Sequence, residues 1–251
     1  MKKMFAVILF LFFYGVFVIA TLPVNIALSW LNLPKNISLY KPTGTIWQAK
    51  IDQVIVQQNR QTKIQVNNVN TALSLSSLLL FTPTIDIKFG GKLSDGPEGH
   101  LTLSGSMIKP QIINANITIT ADEVANKLTL PIDVSALGTV SLALDSYVMG
   151  KPLCAIAKGK ITWPKAALKA FEQSVELGTL NAKVSCEKGA LALEIDPKNS
   201  LGLSFTAYLR NQGQMSGNGY LTPGNKFPQK LKELLPFLGK PDNNGRYRLG
   251  F

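Results

Sequence analysis

Few residues in this chain could do chemistry. His100 is the single histidine and stands in PEGHLTL, where a loop gives way to an alternating run. A histidine acting as general base or metal ligand needs partners, and neither an HExxH helix nor a G-x-S-x-G elbow occurs. Serine precedes lysine by three residues at Ser38/Lys41, Ser106/Lys109 and Ser185/Lys188, the spacing of a serine nucleophile with a lysine base. None has the supporting Ser-Asp-Asn or Lys-Thr-Gly element. The Gly-rich GGKLSDGPEG joins two strand-like runs and does not open a helix, so it makes a poor phosphate cradle. The carboxylates are sparse and lie mostly in turns or beside lysines, so no general acid and base pair stands out. The expectation is no enzyme, no catalytic residue, no cofactor and no metal site.

Two further reactive side chains remain, Cys154 and Cys186. In an exported domain an even pair reads most simply as one disulfide, because a metal site built on two cysteines would need further ligands. Export is suggested at the other end of the chain. Met4 to Leu22 carries no charge and follows Lys2 and Lys3. As a helix it would span about 28 Å, close to the thickness of a bilayer core. A buried core helix would need a polar face that this segment lacks. A cleaved signal peptide has the required small residues at Val18 and Ala20, but its apolar run is normally shorter and less bulky. An uncleaved anchor is therefore favoured, with the lysines holding the N-terminus in the cytoplasm.

Beyond the anchor, LPVNIALSWLNLPK passes Pro23 and Pro34, which discourage a continued helix. The period then changes to two. In IINANITIT, Ile113, Ala115, Ile117 and Ile119 share one face with Asn and Thr opposite, as in a half-buried strand. TIDIKF, HLTLSG, TVSLALDS, GALALEI and LGLSFTAYL repeat the alternation, separated by turn chemistry in CEKG, DPKN and NQGQ. Helical signals are short: ADEVANKL with acidic residues first, PKAALKAFEQ from Pro164, and PQKLKELLPFLG up to Pro236. These features predict a mainly β architecture: a transmembrane helix followed by a long curved antiparallel sheet, a half-pipe or groove, with two or three short helices. A closed barrel is the alternative. The terminal RYRLGF, with Tyr247, Leu249 and Phe251, imitates the last strand of an outer-membrane barrel, but those precursors carry cleavable signals.

The formal net charge is +11, and leaving out Lys2 and Lys3 gives 11 − 2 = +9 for the exported part. Such a balance suits nucleic acid or an anionic membrane. The lysines are scattered singly and no nucleic-acid motif appears, so a solvated basic face is expected. Trp47 in GTIWQAK and Trp163 in GKITWPKAAL stand in similar surroundings. Trp47 alternates with Ala49 and Ile51, which favours core packing over a stacking platform for a ligand. Trp163 is read in the same way, at a point where a strand would yield to a helix. The expected layout is a cytoplasmic tip at 1–3, an anchor at 4–22, a juxtamembrane segment at 23–43 and a β-rich domain at 44–251. The two tryptophans suggest similar halves at 44–150 and 151–251.

The C-terminal PQKLKELLPFLGKPDNNGRYRLGF, with GKITWPKAAL, LGTLNAKVSCEKGALALEI and LGLSFTAYLRNQGQMSGNGYLTP, resembles protein N of the bacterial type II (general) secretion pathway. The resemblance extends through the anchor, the juxtamembrane stretch and GTIWQAK. It departs at Ala49, near which the family commonly has glycine, and at Lys240, where proline is frequent. The resemblance implies a single-pass inner-membrane protein whose periplasmic domain supports export of folded proteins through an outer-membrane secretin. Its implied partners are other secretion subunits, in the inner-membrane platform or the secretin. The family is also similar to the AsmA-like group of β-rich periplasmic proteins, which leaves a lipid or hydrophobe carrier as the alternative function. No active site comes with the resemblance.

Overall fold

The computed structural model describes residues 2–30, 33–34, 36–57, 63–93, 96–106, 109–126, 135–170, 173–210 and 214–250. Helix α1 (Lys2–Thr21) is exposed along nearly its whole length, as expected of a surface that lipid covers. A second helix, α2 (Val24–Trp30), restarts immediately after Pro23, which pairs with Thr45 in an isolated bridge. Proline ends one helix and tolerates the start of another. This is why the expected break is only a short interruption.

The rest is one antiparallel sheet that does not close. Its first part comprises β1 (Ile37–Gly44), β2 (Gln48–Gln57), β3 (Lys63–Leu73), α3 (Leu75–Leu79), β4 (Thr84–Phe89), β5 (Glu98–Ser106) and β6 (Lys109–Thr120). Then come α4 (Ala121–Ala125), β7 (Ser135–Leu137), β8 (Thr139–Met149), β9 (Cys154–Ala170) and β10 (Gln173–Glu187). The chain finishes with β11 (Ala190–Ile195), β12 (Leu203–Leu209), β13 (Met215–Leu221), α5 (Gln229–Lys232) and β14 (Tyr247–Gly250). Each strand pairs with its neighbours in sequence, except that the short β7 lies beside β9. The sheet begins at Ile37, inside the stretch expected to be juxtamembrane. The 150/151 division falls in the turn between β8 and β9, which pair with each other.

Register makes the two faces visible. One row runs Lys50, Asn70, Lys88, His100, Asn116, Ala143, Lys160, Lys183, Glu194 and Thr206, each residue directly opposite the next. The adjacent row, on the other face, runs Ala49, Thr71, Ile87, Leu101, Ala115, Leu144, Gly159, Val184, Leu193 and Ala207. The first row carries charge and the second carries none, because successive side chains point to opposite faces.

Three details correct the expectations from sequence. Ile113 is exposed, because the β5–β6 register slips between Thr102 and Leu103 and leaves it as the bulged residue. Ile112 takes its place on the apolar face. No helix begins at Pro164: β9 continues through it to Ala170. Between the pairs Trp163–Leu180 and Ala166–Gly178, two residues of β9 face one of β10, and Lys165 adopts φ 48°. Proline is tolerated in such a bulge, where the ladder does not need its missing N–H. A third expected helix is split into α5 and a 3-10 turn, Leu235–Leu238. The first part of the expected helix ADEVANKL is present as α4, capped by the Thr120 hydroxyl accepting from Glu123 N at 3.3 Å, and Lys127 and Leu128 lie outside the described residues.

A hydrophobic core sits at the end of the sheet far from α1. Ala166, Leu177, Leu201, Leu221 and Phe227 are buried there, with Leu231 and Leu235 of the C-terminal segment and Tyr247 and Leu249 of β14 packed against them. Tyr247 and Leu249 therefore face protein; Phe251 lies outside the described residues.

Candidate functional site

The residues of the chemical motifs are spread over the sheet. His100 is exposed on β5, with Asn116 Nδ2 3.4 Å from its Nε2. Ser38 and Lys41 lie on the edge strand β1, Ser185 lies on β10, and Lys188 lies in the β10–β11 turn. The side chains of Ser106 and Lys109 lie outside the described residues. No group of three His, Cys, Asp or Glu side chains able to hold a metal occurs among the described residues.

The apolar face instead forms a trough. Ile112, Leu142, Leu144, Tyr147, Ile161, Val184, Leu191, Leu193 and Leu209 line a cavity of about 310 Å³. These residues come from six adjacent strands, β6 and β8 to β12, which would span about 24 Å if flat. One compact cavity touching both outer strands requires the sheet to curl. Tyr147 is the polar exception, and its hydroxyl donates to Leu153 O at 2.8 Å. Burial pushes its phenol pKa above the ordinary value. The uncharged acid is thus the form that suits the lining.

Trp47 and Trp163 lie at opposite ends of the sheet, and each indole donates to a backbone carbonyl. Trp47 Nε1 reaches Ile19 O of α1 at 3.1 Å, and Trp163 Nε1 reaches Leu137 O of β7 at 2.9 Å. Trp163 packs against the distal core as well. Ile46 N also donates to Leu22 O at 3.1 Å, so the β1–β2 turn is bonded to the chain at the end of α1. Cys154 and Cys186 are joined, with Cα atoms 6.1 Å apart. The bond ties the start of β9 to the end of β10, beside the turn where Leu153 N and Cys154 N both donate to Gly189 O.

The margins of the sheet differ. β1 is interrupted by Pro42 and by Lys41 at φ 48°, features that discourage pairing with another chain. β14 is short but regular, and is positioned by the preceding turn. There Asp242 accepts from Arg246 N at 2.9 Å and from its guanidinium, which also lies over the Tyr220 ring. The aligned lysines were not legible in sequence: Lys50, Lys88, Lys160 and Lys183 are scattered along the chain and come into line only through register.

An N-terminal helix long and apolar enough to cross a membrane, bonded to the margin of one curled, open antiparallel β-sheet, defines the class of protein. The model of the family "Type II secretion system (T2SS), protein N" matches residues 35–250. The Type II secretion system protein N of Vibrio cholerae serotype O1 is 29% identical over 231 residues, covering 92% of this chain and 90% of that protein. The protein N of Aeromonas hydrophila is 26% identical over 253 residues, covering 100% and 98%. That of Pectobacterium carotovorum is 26% identical over 239 residues, covering 95% and 92%. No solved structure gives a significant match. The chain belongs to the type II secretion system protein N family, and is an accessory subunit of that system at the inner membrane.

Proposed function

We propose that this subunit is a non-enzymatic scaffold that holds a curled sheet on the periplasmic side of the inner membrane and engages another secretion subunit through the free margin at β14. The open end of the sheet carries this reading. Among the described residues β14 pairs with β13 alone, and a regular strand at such a margin offers main-chain hydrogen bonds to a partner strand, whereas β1 is blunted by Pro42. Lys2 and Lys3 favour the cytoplasm for the N-terminus, and the Cys154–Cys186 disulfide fits an oxidising compartment. Trp47 and Trp163 act as structural anchors, one for the membrane helix and one for the distal core.

A deletion strain should accumulate exoproteins in the periplasm, and the full chain should restore secretion. A photoreactive residue in place of Arg248 should form adducts with another secretion subunit, whereas one in place of Ser38 should not. Normal secretion in the deletion strain, or no adduct at Arg248, would overturn the proposal.

A second reading is favoured by the uncharged trough between Ile112 and Leu209, whose size and lining suit an acyl chain. Native mass spectrometry of gently prepared protein should then show bound lipid that Leu144→Glu removes. A ligand-free spectrum of the unaltered protein counts against this reading.

A further inference from the structure

We propose that the β3–β4 loop is a second membrane-binding element: Leu79, Leu80 and Phe81 enter the leaflet at which α1 ends. The sheet then stands on the bilayer through two contacts. The inference rests on α1 being the membrane span, and it is independent of any secretion partner.

Position is the first argument. β3 runs toward the β1–β2 turn, with Gln48 opposite Ala72, and Leu73 N donates to Trp47 O at 2.8 Å. Trp47 also donates its indole N–H to Ile19 O near the end of α1. One residue therefore bonds both to the end of the span and to the point where β3 becomes the loop, so the loop continues past the sheet on the side where the span stops. Helix α2 starts beside the same turn, where Pro23 pairs with Thr45, and it ends on an exposed Trp30, a residue type that favours the interface between lipid and water.

The loop's composition fits that depth. No charged residue occurs from Ile64 to Ile85. Leu79, Leu80 and Phe81 are 82%, 73% and 93% exposed, far beyond what isolated surface hydrophobics need. Phe81 has φ 56°, a left-handed conformation better suited to Gly or Asn. Neither local backbone preference nor packing in the fold accounts for a phenylalanine there.

The loop also satisfies its own polar groups. Ser77 Oγ donates to Ser74 O at 2.6 Å and accepts from Thr84 N at 2.9 Å. Thr82 N donates to Ser77 O at 3.0 Å, and Phe81 N to Leu78 O at 3.1 Å. A turn closed in this way can enter the boundary between headgroups and acyl chains with few orphaned groups.

The test uses the full chain in lipid nanodiscs, with an environment-sensitive nitrobenzoxadiazole probe on Phe81→Cys or, separately, Leu80→Cys. The native cysteines are joined and take no label. Both sites should show blue-shifted emission several-fold brighter than at Lys198→Cys in the distal β11–β12 turn, and spin-labelled lipid should quench it. Phe10→Cys, within the span, is the positive control. Quenching at Phe10 with none at the loop sites overturns loop insertion while leaving the span in place. Blue-shifted but lipid-insensitive emission means that protein covers the loop, and also overturns the proposal. No quenching at any site removes the span and the proposal with it.

Discussion

Replacing Cys154 and Cys186 together with alanine tests how much the sheet depends on its covalent tie. The bond joins residues 32 apart in sequence, enclosing nearly the whole β9–β10 hairpin. Opening a loop of that length restores conformational freedom to the unfolded chain worth about 3.7 kcal/mol in the chain-entropy model. With a urea dependence of about 3 kcal/mol/M, the upper range for small proteins, the unfolding midpoint should fall by about 1.2 M. Cys154 is only 2% exposed, so Cys154→Ser/Cys186→Ser should cost roughly a further 1 kcal/mol by burying a hydroxyl. The measurement is a urea titration of the full chain in mild detergent, followed by the far-ultraviolet signal of the sheet. A midpoint shift under about 0.3 M, less than about 1 kcal/mol, would mean that strand pairing and packing hold this region and the cross-link adds little.

Trp163→Phe should cost about 1 kcal/mol through the lost hydrogen bond to Leu137 O, and Trp163→Ala about 3 kcal/mol through the cavity it opens in the distal core; thermal unfolding distinguishes the two. Asp242 titrates below the ordinary carboxylate value, chiefly because Arg246 N donates to it, with the Arg246 side chain and Asn244 N adding to the effect. A depressed folded-state pKa means that its contribution to the turn is present above the unfolded value and lost as pH falls through the folded one. The amide resonance of Arg246 should therefore shift only below the usual aspartate range, and Asp242→Asn should abolish that shift.

Alternation was the legible part of the fold. Stretches such as TIDIKF and LGLSFTAYL became β4 and β12, because a sheet with one covered face and one wet face imposes a period of two. Ile113 and Pro164 were misread for a common reason. Each sits at or beside a bulge, where the register slips, and the sequence pattern contains no record of the slip. Pro164 followed by AALKA satisfies the rule for a helix start as well as that for a bulged strand. Only pairing with β10 decides between them. The short helices α2 and α3 were missed because so few residues show no helical period. The trough needs side chains from six strands to meet, and the lysine row needs ten strands in register. Both are long-range facts that composition reports only as hydrophobic content and net charge.

Because nearly every strand pairs with the one before it, the fold can assemble in the order in which the chain emerges. A β-hairpin forms as soon as its second strand is available, without waiting for a distant partner, which keeps contact order low for a protein of this class. The growing sheet exposes an unfinished margin at each stage, and that margin is the template for the strand that follows. The last segments, from Phe227 through α5 to β14, then cover the distal core. A chain shortened before Phe227 would retain its early ladders but leave Leu177, Leu201 and Leu221 uncovered, so late truncations should yield protein prone to aggregation and proteolysis.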